Sequence, residues 1–522
     1  MARISTLESS RTGLLIRASI AAAVLLVVAF LLVSLTMTLQ GSSIDNLLSP
    51  IEWLDALDRS VAIDTVANAA DLLAAILAIA ITVVAIVVEL AANRYSHRIT
   101  SLFVREPTNI VVMSFFVVAT IQSVWVSLTL AGPAEAAPLP NAGLLMSMAM
   151  VTISLIILLP YFAFVLSFLS PVSVIDKIRH GALKSLQLGT SGAIEKAELS
   201  IQNSVDELQD ITRRASELRD RAVETAAINA LAELLLAYQS VLDDLPAEWF
   251  EVSGSVATDP DFVSMSPSSL REIEESGTWV EAKILRQYMD LISNGDPSSR
   301  DISYLIAINT KRIGIDAIGR RPQLVELSTR CFNSYLRATI NNHDQRTTYY
   351  IMNQYRLLAE ELLKGANHTS VKAIALHLQF YGLMGFKMQM PFLLEVAAYD
   401  IMQLIEACSN HEPDLIDDLL NLMLQLDQEI KDESNQESLL GVRRAQIQLA
   451  AYFLNQDDVP RARRICKDLK SEQRQRLNLL RELLLTEDRP QYWEFTDRGV
   501  NFSYMKPEER PHLDELFAWI DA

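Results

Sequence analysis

Four long runs without a single charged residue occupy the first third of the chain, at residues 18–39, 72–88, 108–132 and 141–170. Crossing the hydrocarbon core of a bilayer takes about 20 apolar residues. The second run reaches 92 if Glu89 sits near an interface, so the expected spans are 18–39, 72–92, 108–132 and 141–170. Backbone polar groups find no partner in lipid, so such segments must be helical. The runs predict four membrane-spanning helices within residues 1–175.

That frame resolves a conflict in the composition. The chain has 522 residues, a net charge of −19 and 50% hydrophobic residues, with a mean hydropathy of +0.19. Residues 1–175 hold 7 Lys/Arg and 10 Asp/Glu, which leaves 38 basic and 54 acidic residues of the totals 45 and 64 for residues 176–522. Apolarity thus belongs to the first part and acidity to the second. A single soluble globule, a small disulfide scaffold and a wholly embedded transporter are all excluded. An excess of acid over base also argues against nucleic acid as a partner.

Basic residues alternate between the short loops. Arg3, Arg11 and Arg17 precede the first run, while the next loop carries only Arg59 against six acids. Arg94, Arg98 and Arg105 then lie between the second and third runs, residues 133–140 have no basic residue, and Lys177, Arg179 and Lys184 follow the fourth. By the positive-inside rule both termini are expected in the cytoplasm, and the protein is expected in an inner membrane. The first run is too long for a signal-peptide core and lacks an A-x-A site after it, so it reads as an uncleaved anchor. Ile51, Leu54, Leu57 and Val61, with Trp53, predict a short helix either on the outer leaflet or across the tops of the spans.

Thr82, Glu89 and Asn93 share one face of the second span, and Gln122, with Ser114 and Ser123, adds polar groups to the third. Two readings follow: a polar stripe along a hydrated path, or an interfacial glutamate paired with Arg94 or Arg98. Arg94, Arg98 and Arg105 could also hold anionic lipid headgroups, besides serving as topology anchors.

The stretch from Val87 to Arg98, followed by Phe103 and the run opening at Asn109, resembles a widespread bacterial family of membrane proteins, domain of unknown function 2254. Leu159, Pro160, Tyr161 and Phe162, leading to Val172, Ser173, Val174 and Ile175, are similar to that family's exit from the membrane. The family's Ser-Pro-Arg turn appears here as Ser96, His97 and Arg98, without the proline. The resemblance covers about residues 15–185 and implies an inner-membrane protein with a cytoplasmic C-terminal part. It implies no catalytic residue.

From residue 176 onward apolar residues recur at three- and four-residue steps, so the second part reads as all-α. Ile194, Ile201, Leu208 and Ala215, with Ala197, Ser204, Ile211 and Leu218, form a heptad-like seam. Residues 176–247 are therefore expected as stalk or linker helices, either a coiled coil between copies or a helix packed on its own domain. Gly254, Pro260 and Pro267 interrupt the periodicity over residues 248–267, which predicts a loop or boundary. Residues 268–522 read as helix pairs between short turns, a solenoid-like domain without a fixed period.

Charge is uneven in this part. Nine Lys/Arg fall within residues 300–356, against twelve acids and one base within 395–438. The two segments either neutralise each other or offer a basic face to an anionic ligand. Tyr349, Tyr355, Arg356, Glu360, Tyr381 and Glu395, with Asp400, are the candidates for a polar pocket, the alternative being aromatics in the core and ion pairs between helices.

Cys331, Cys408 and Cys466 are too widely spaced for a framework or a C-x-x-C site, and no common metal, nucleotide or nucleophile motif is present. The expectation is a non-enzymatic membrane protein without cofactor or metal. Two functions fit it: an oligomeric, channel-like module with a cytoplasmic regulatory domain, or a membrane-anchored scaffold or sensor whose helical domain recruits a cytoplasmic protein.

Overall fold

The structure, a computed structural model, describes residues 58–94, 106–130, 141–167, 170–190, 193–252, 254–294, 299–411, 413–428, 433–494, 496 and 498–521. Among the described residues there is no strand, and the fold is all-α. The chain divides into two compact units. The smaller holds residues 1–180 and 206–227, and the larger holds residues 181–205 and 228–522.

Among the described residues, three helices of the smaller unit are long and apolar enough to cross a membrane: α1 (Arg59–Arg94), α2 (Pro107–Leu130) and α3 (Asn141–Ser167). The expected span at 18–39 and the amphipathic turn from Ile51 to Leu57 lie outside the described residues. Val61, read as part of that outer helix, instead lies in the first turn of α1. The helix thus begins well before the charge-free run at Leu72, because absence of charge marks the hydrocarbon layer and not the helix end. At about 1.5 Å per residue α1 is about 54 Å long, well beyond a core of about 30 Å. The three helices pack on one another around Ile76, Ala80, Val87, Phe116, Tyr161 and Val165.

The heptad-like seam lies on a helix. α4 (Pro171–Thr190), α5 (Ile194–Glu217) and α6 (Arg221–Gln239) follow α3. Along α5, Ala197, Ile201, Leu208 and Ile211 are all buried within this chain, whereas Leu218 lies beyond the helix and is exposed. A stripe of that kind serves any buried helix face.

Residues 248–267 form no boundary. The segment carries short turns of helix, α7 (Gly254–Ala257) and α8 (Pro260–Val263), ahead of α9 (Pro267–Ser276). Trp249, Val256 and Phe262 are fully buried there. The glycines and prolines bend the backbone while single large side chains anchor it, so periodicity is lost although burial is not.

The rest of the larger unit is a double row of helices: α10 (Trp279–Asn294), α11 (Arg300–Asp316), α12 (Pro322–Asn341), α13 (Gln345–Lys364), α14 (His368–Lys387), α15 (Phe392–His411), α16 (Ile416–Gln428) and α17 (Leu440–Asn455). α11, α13, α15 and α17 pack side by side in one row, and α10, α12, α14 and α16 in the other. Consecutive helices also pack, as in an α-solenoid. α18 (Val459–Leu469), α19 (Arg474–Thr486) and α20 (His512–Asp521) pack against α17 at one end of the rows.

One turn recurs through the chain without a recurring sequence. Arg219, His343, Ala366 and Asp457 all take a left-handed backbone, and the next residue is Asp220, Asp344, Asn367 or Asp458. In each turn the amide of that Asp or Asn reaches back five residues, as Asp344 does to the Thr339 carbonyl at 2.9 Å. Its side chain then accepts from an amide of the following helix, as at Thr347 (3.2 Å) and Ser370 (3.2 Å). One residue pair therefore ends one helix and starts the next.

Candidate functional site

Two polar links join α2 to α3 in the smaller unit. The Gln122 amide donates to the Gly143 carbonyl at 3.4 Å, and Ser147 donates to Gln122 Oε1 at 3.3 Å, which ties α2 to α3. At the other end of the same helix pair the Tyr161 hydroxyl donates to Asn109 Oδ1 at 2.6 Å, with both residues buried. Such bonds hold helices together where lipid offers no hydrophobic drive for association.

The structure does not bring the stripe residues together. Gln122 is partly buried between helices, whereas Thr82 and Glu89 lie on an exposed face of α1. The Thr82 hydroxyl donates to the Ala78 carbonyl at 2.8 Å, within its own helix. Ser123 is buried and Ser114 is exposed. The side chains of Asn93 and Arg94, and all of Arg98 and Arg105, fall outside the described residues.

In the larger unit the six pocket candidates fall into three groups. The first surrounds Asp400, which is fully buried in α15. Arg498 grips its carboxylate at 2.6 and 3.2 Å, and Arg356 Nε lies 3.1 Å from it. Arg356 also pairs with Glu360, one turn further along α13. Burial raises the Glu360 carboxyl above its usual range, the Arg356 guanidinium opposes this and the Asp400 charge adds to it. The Arg498 guanidinium lies 4.2 Å from the centre of the Tyr349 ring and donates to the Tyr349 carbonyl at 2.7 Å. Phe502 stacks on Tyr399 at 4.1 Å. This node clamps the irregular stretch between α19 and α20 onto α13 and α15.

Tyr355 and Tyr381 lie apart from that node. Tyr355 is fully buried, stacked on Phe332 at 4.9 Å, with its hydroxyl 2.9 Å from His377 Nδ1 and 3.3 Å from Asn333 Oδ1. Burial lowers the His377 pKa and raises that of Tyr355, so both groups stay neutral near pH 7. Tyr381 is buried too, and burial raises its hydroxyl pKa against a pull from Arg337.

Glu395 forms the third group, and it lines an open space. It pairs with Arg444 of α17 at the base of a cleft of about 360 Å³. The apolar lining includes Phe392, Leu479 and Leu483, which are exposed, and Leu480, which is buried, and Glu437 adds a second carboxylate. Gly441 makes room for this pair, since a Cβ there would fall on the Glu395 side chain. Leu477, Leu480 and Leu484 of α19 are buried while Leu479 and Leu483 are not, so this helix carries apolar residues beyond those its own core uses.

Two buried charged clusters escaped the sequence reading. Lys283 is fully buried and bonds Asp259 at 3.0 and 2.8 Å and Asp261 at 2.8 Å. Glu281 is fully buried beside Arg321 (3.2 Å) and the Gln239 amide (3.1 Å). Burial raises the Glu281 carboxyl, with Arg321 opposing. The signal was present: Glu281 and Lys283 interrupt an apolar run from Trp279 to Leu285, and Asp259 precedes a proline as a helix cap would. Among the described residues no cluster of His, Cys, Asp and Glu could hold a metal ion.

Residues 13–233 match the model of the family described as Predicted membrane protein (DUF2254). That stretch includes all three apolar helices and runs on into α6. No curated protein and no solved structure matches the chain. The family match and the three helices make this a membrane protein, and the family description carries no activity.

Proposed function

We propose, taking the family match of residues 13–233 as the premise, that the protein is a multi-pass inner-membrane anchor without enzymatic activity or cofactor. Both termini lie in the cytoplasm, and the helical domain recruits a cytoplasmic protein segment. The observation that carries this reading is the Glu395–Arg444 cleft, where exposed Phe392, Leu479 and Leu483 adjoin two carboxylates. Apolar residues exposed together beside charged ones are the make-up of a docking surface. An α-solenoid presents such a surface on rigid helices.

The test uses the full-length protein in native membranes. Reversible cross-linking and capture should recover a specific partner with the wild type, and L479D should lose it at least ten-fold with unchanged thermal stability. Recovery of the same proteins at the same level by both would sink the reading. A C-terminal reporter active only in the cytoplasm tests the orientation.

A second reading, an oligomeric channel-like module gated by the helical domain, is favoured by the exposed line of Thr82 and Glu89. Its test is ion flux in liposomes. No flux, or flux indifferent to Glu89→Ala, counts against it.

A further inference from the structure

Helices alone wall the cleft beside Glu395. Phe392 and Glu395 come from α15, Gly441 and Arg444 from α17, and Leu479 and Leu483 from α19. Glu437 comes from a 3-10 turn, Glu433–Leu439, that leads into α17. Backbone amides and carbonyls within a helix bond to one another, so these walls offer side chains and no strand edge. An extended peptide would find no backbone to pair with there. A helix needs none, and Leu479 and Leu483, one turn apart on α19, form a ridge against which another helix can pack.

The charges of the lining do not balance. Arg444 is already held by the Glu395 carboxylate and by Ser503, to whose hydroxyl oxygen it donates at 2.9 Å. That pair cancels and leaves Glu437, which is exposed and, among the described residues, pairs with no cation. Other carboxylates of the acidic segment are engaged: Asp400 holds Arg498, Glu406 holds Lys506, Asp417 holds Arg461 and Asp418 holds Lys372. A neutral apolar segment seated on Phe392, Leu479 and Leu483 would strip water from Glu437 and return no partner to it. An acidic segment would meet like charge at short range.

We propose that the occupant of this cleft is a cationic amphipathic helix of a cytoplasmic protein. Its large apolar side chains lie on Phe392, Leu479 and Leu483, and a lysine or arginine lies on Glu437. This rests on the recruitment reading and gives the partner a chemistry. Apolar contacts supply most of the affinity, and the ion pair selects the sign of charge that the cleft accepts.

Titration of the full-length protein in zwitterionic nanodiscs tests the proposal. The probe is a fluorescein-labelled amphipathic helical peptide of leucine and lysine, and its control carries glutamate in place of every lysine. The lysine peptide should bind at least ten-fold more tightly than the control, and added salt should weaken it. Glu437→Gln should weaken it several-fold and Glu437→Lys further, both with unchanged thermal stability because this side chain is exposed. L479D should abolish binding. Equal affinity for the two peptides would overturn the proposal. So would lysine-peptide binding that ignores both Glu437→Lys and L479D, or no binding of either peptide. The recruitment reading is decided apart from these results, since a partner captured from native membranes and lost with L479D would stand with a different chemistry.

Discussion

Asp427 shows how far a single carboxylate departs from what its sequence neighbourhood suggests. It belongs to the acidic stretch of residues 395–438, yet its side chain is nearly buried at the end of α16. Gln446 donates to it at 3.4 Å, and Arg443 lies 3.9 Å away. Burial, and then the charge of Asp468, push its carboxyl up to about 6, against the pull of Arg443. An aspartate in the unfolded chain titrates near 3.9. Between these two values the folded protein holds the proton and the unfolded chain does not, so stability falls as pH rises through that window. Asp427→Asn should therefore stabilise the larger unit at pH 7 by on the order of 2 kcal/mol and leave it nearly unchanged at pH 4. Thermal unfolding of the two proteins at pH 4, 5, 6 and 7 measures this, and a constant difference across the series would refute it. Lys283 and Glu281 carry the same lesson. Their charges were visible in an otherwise apolar run, but their partners, Asp259 and Arg321, are set by tertiary packing that periodicity does not encode.

At the scale of elements, the turns were legible and the irregular anchors were not. The short punctuated stretches around His343, Ala366 and Asp457 predict helix ends because Asp and Asn cap helices and interrupt apolar periodicity. The structure puts a turn at each, built from a left-handed residue and an Asx cap. Asp344 carries most of one such turn, accepting from the Thr347 amide and its hydroxyl (2.6 Å) and lying 3.6 Å from Arg300. Asp344→Ala should cost about 1 kcal/mol, the usual loss for a helix N-cap, and Asp344→Asn should recover most of it. Equilibrium denaturation of the purified protein distinguishes the two. Equal losses for both substitutions would mean that the Arg300 pair, and not the cap, supplies the stability. The segment around Trp249 was unreadable for the opposite reason, since Gly254 and Pro260 break it into short turns that three buried side chains, Trp249, Val256 and Phe262, hold in place. The early start of α1 was hidden because its first turns, with Asp64 and Asp71, are helical yet polar.

Across the whole larger unit, helices of one row touch mainly their neighbours in order, so a local injury should remain local. The Asp400 node tests this, because one buried carboxylate joins α13, α15 and the irregular stretch that carries Arg498. Arg356 and Glu360 take part in ion pairs around Asp400, and sequence could not reveal the partner Arg498, which lies 98 residues from Asp400. Arg498→Ala leaves a fully buried aspartate with Arg356 alone, and breaking a buried pair in this way costs about 3–5 kcal/mol. In a protein stabilised by nearest-neighbour interfaces that loss should fall on one end. Amide hydrogen exchange should accelerate through α15, α17 and the stretch between α19 and α20, while α10, α11 and α12 keep their wild-type protection. Acceleration spread evenly over all of these helices would mean that the double row unfolds as one body. Protection unchanged everywhere would mean that the aromatic contacts of Phe502 hold the stretch down without the arginine.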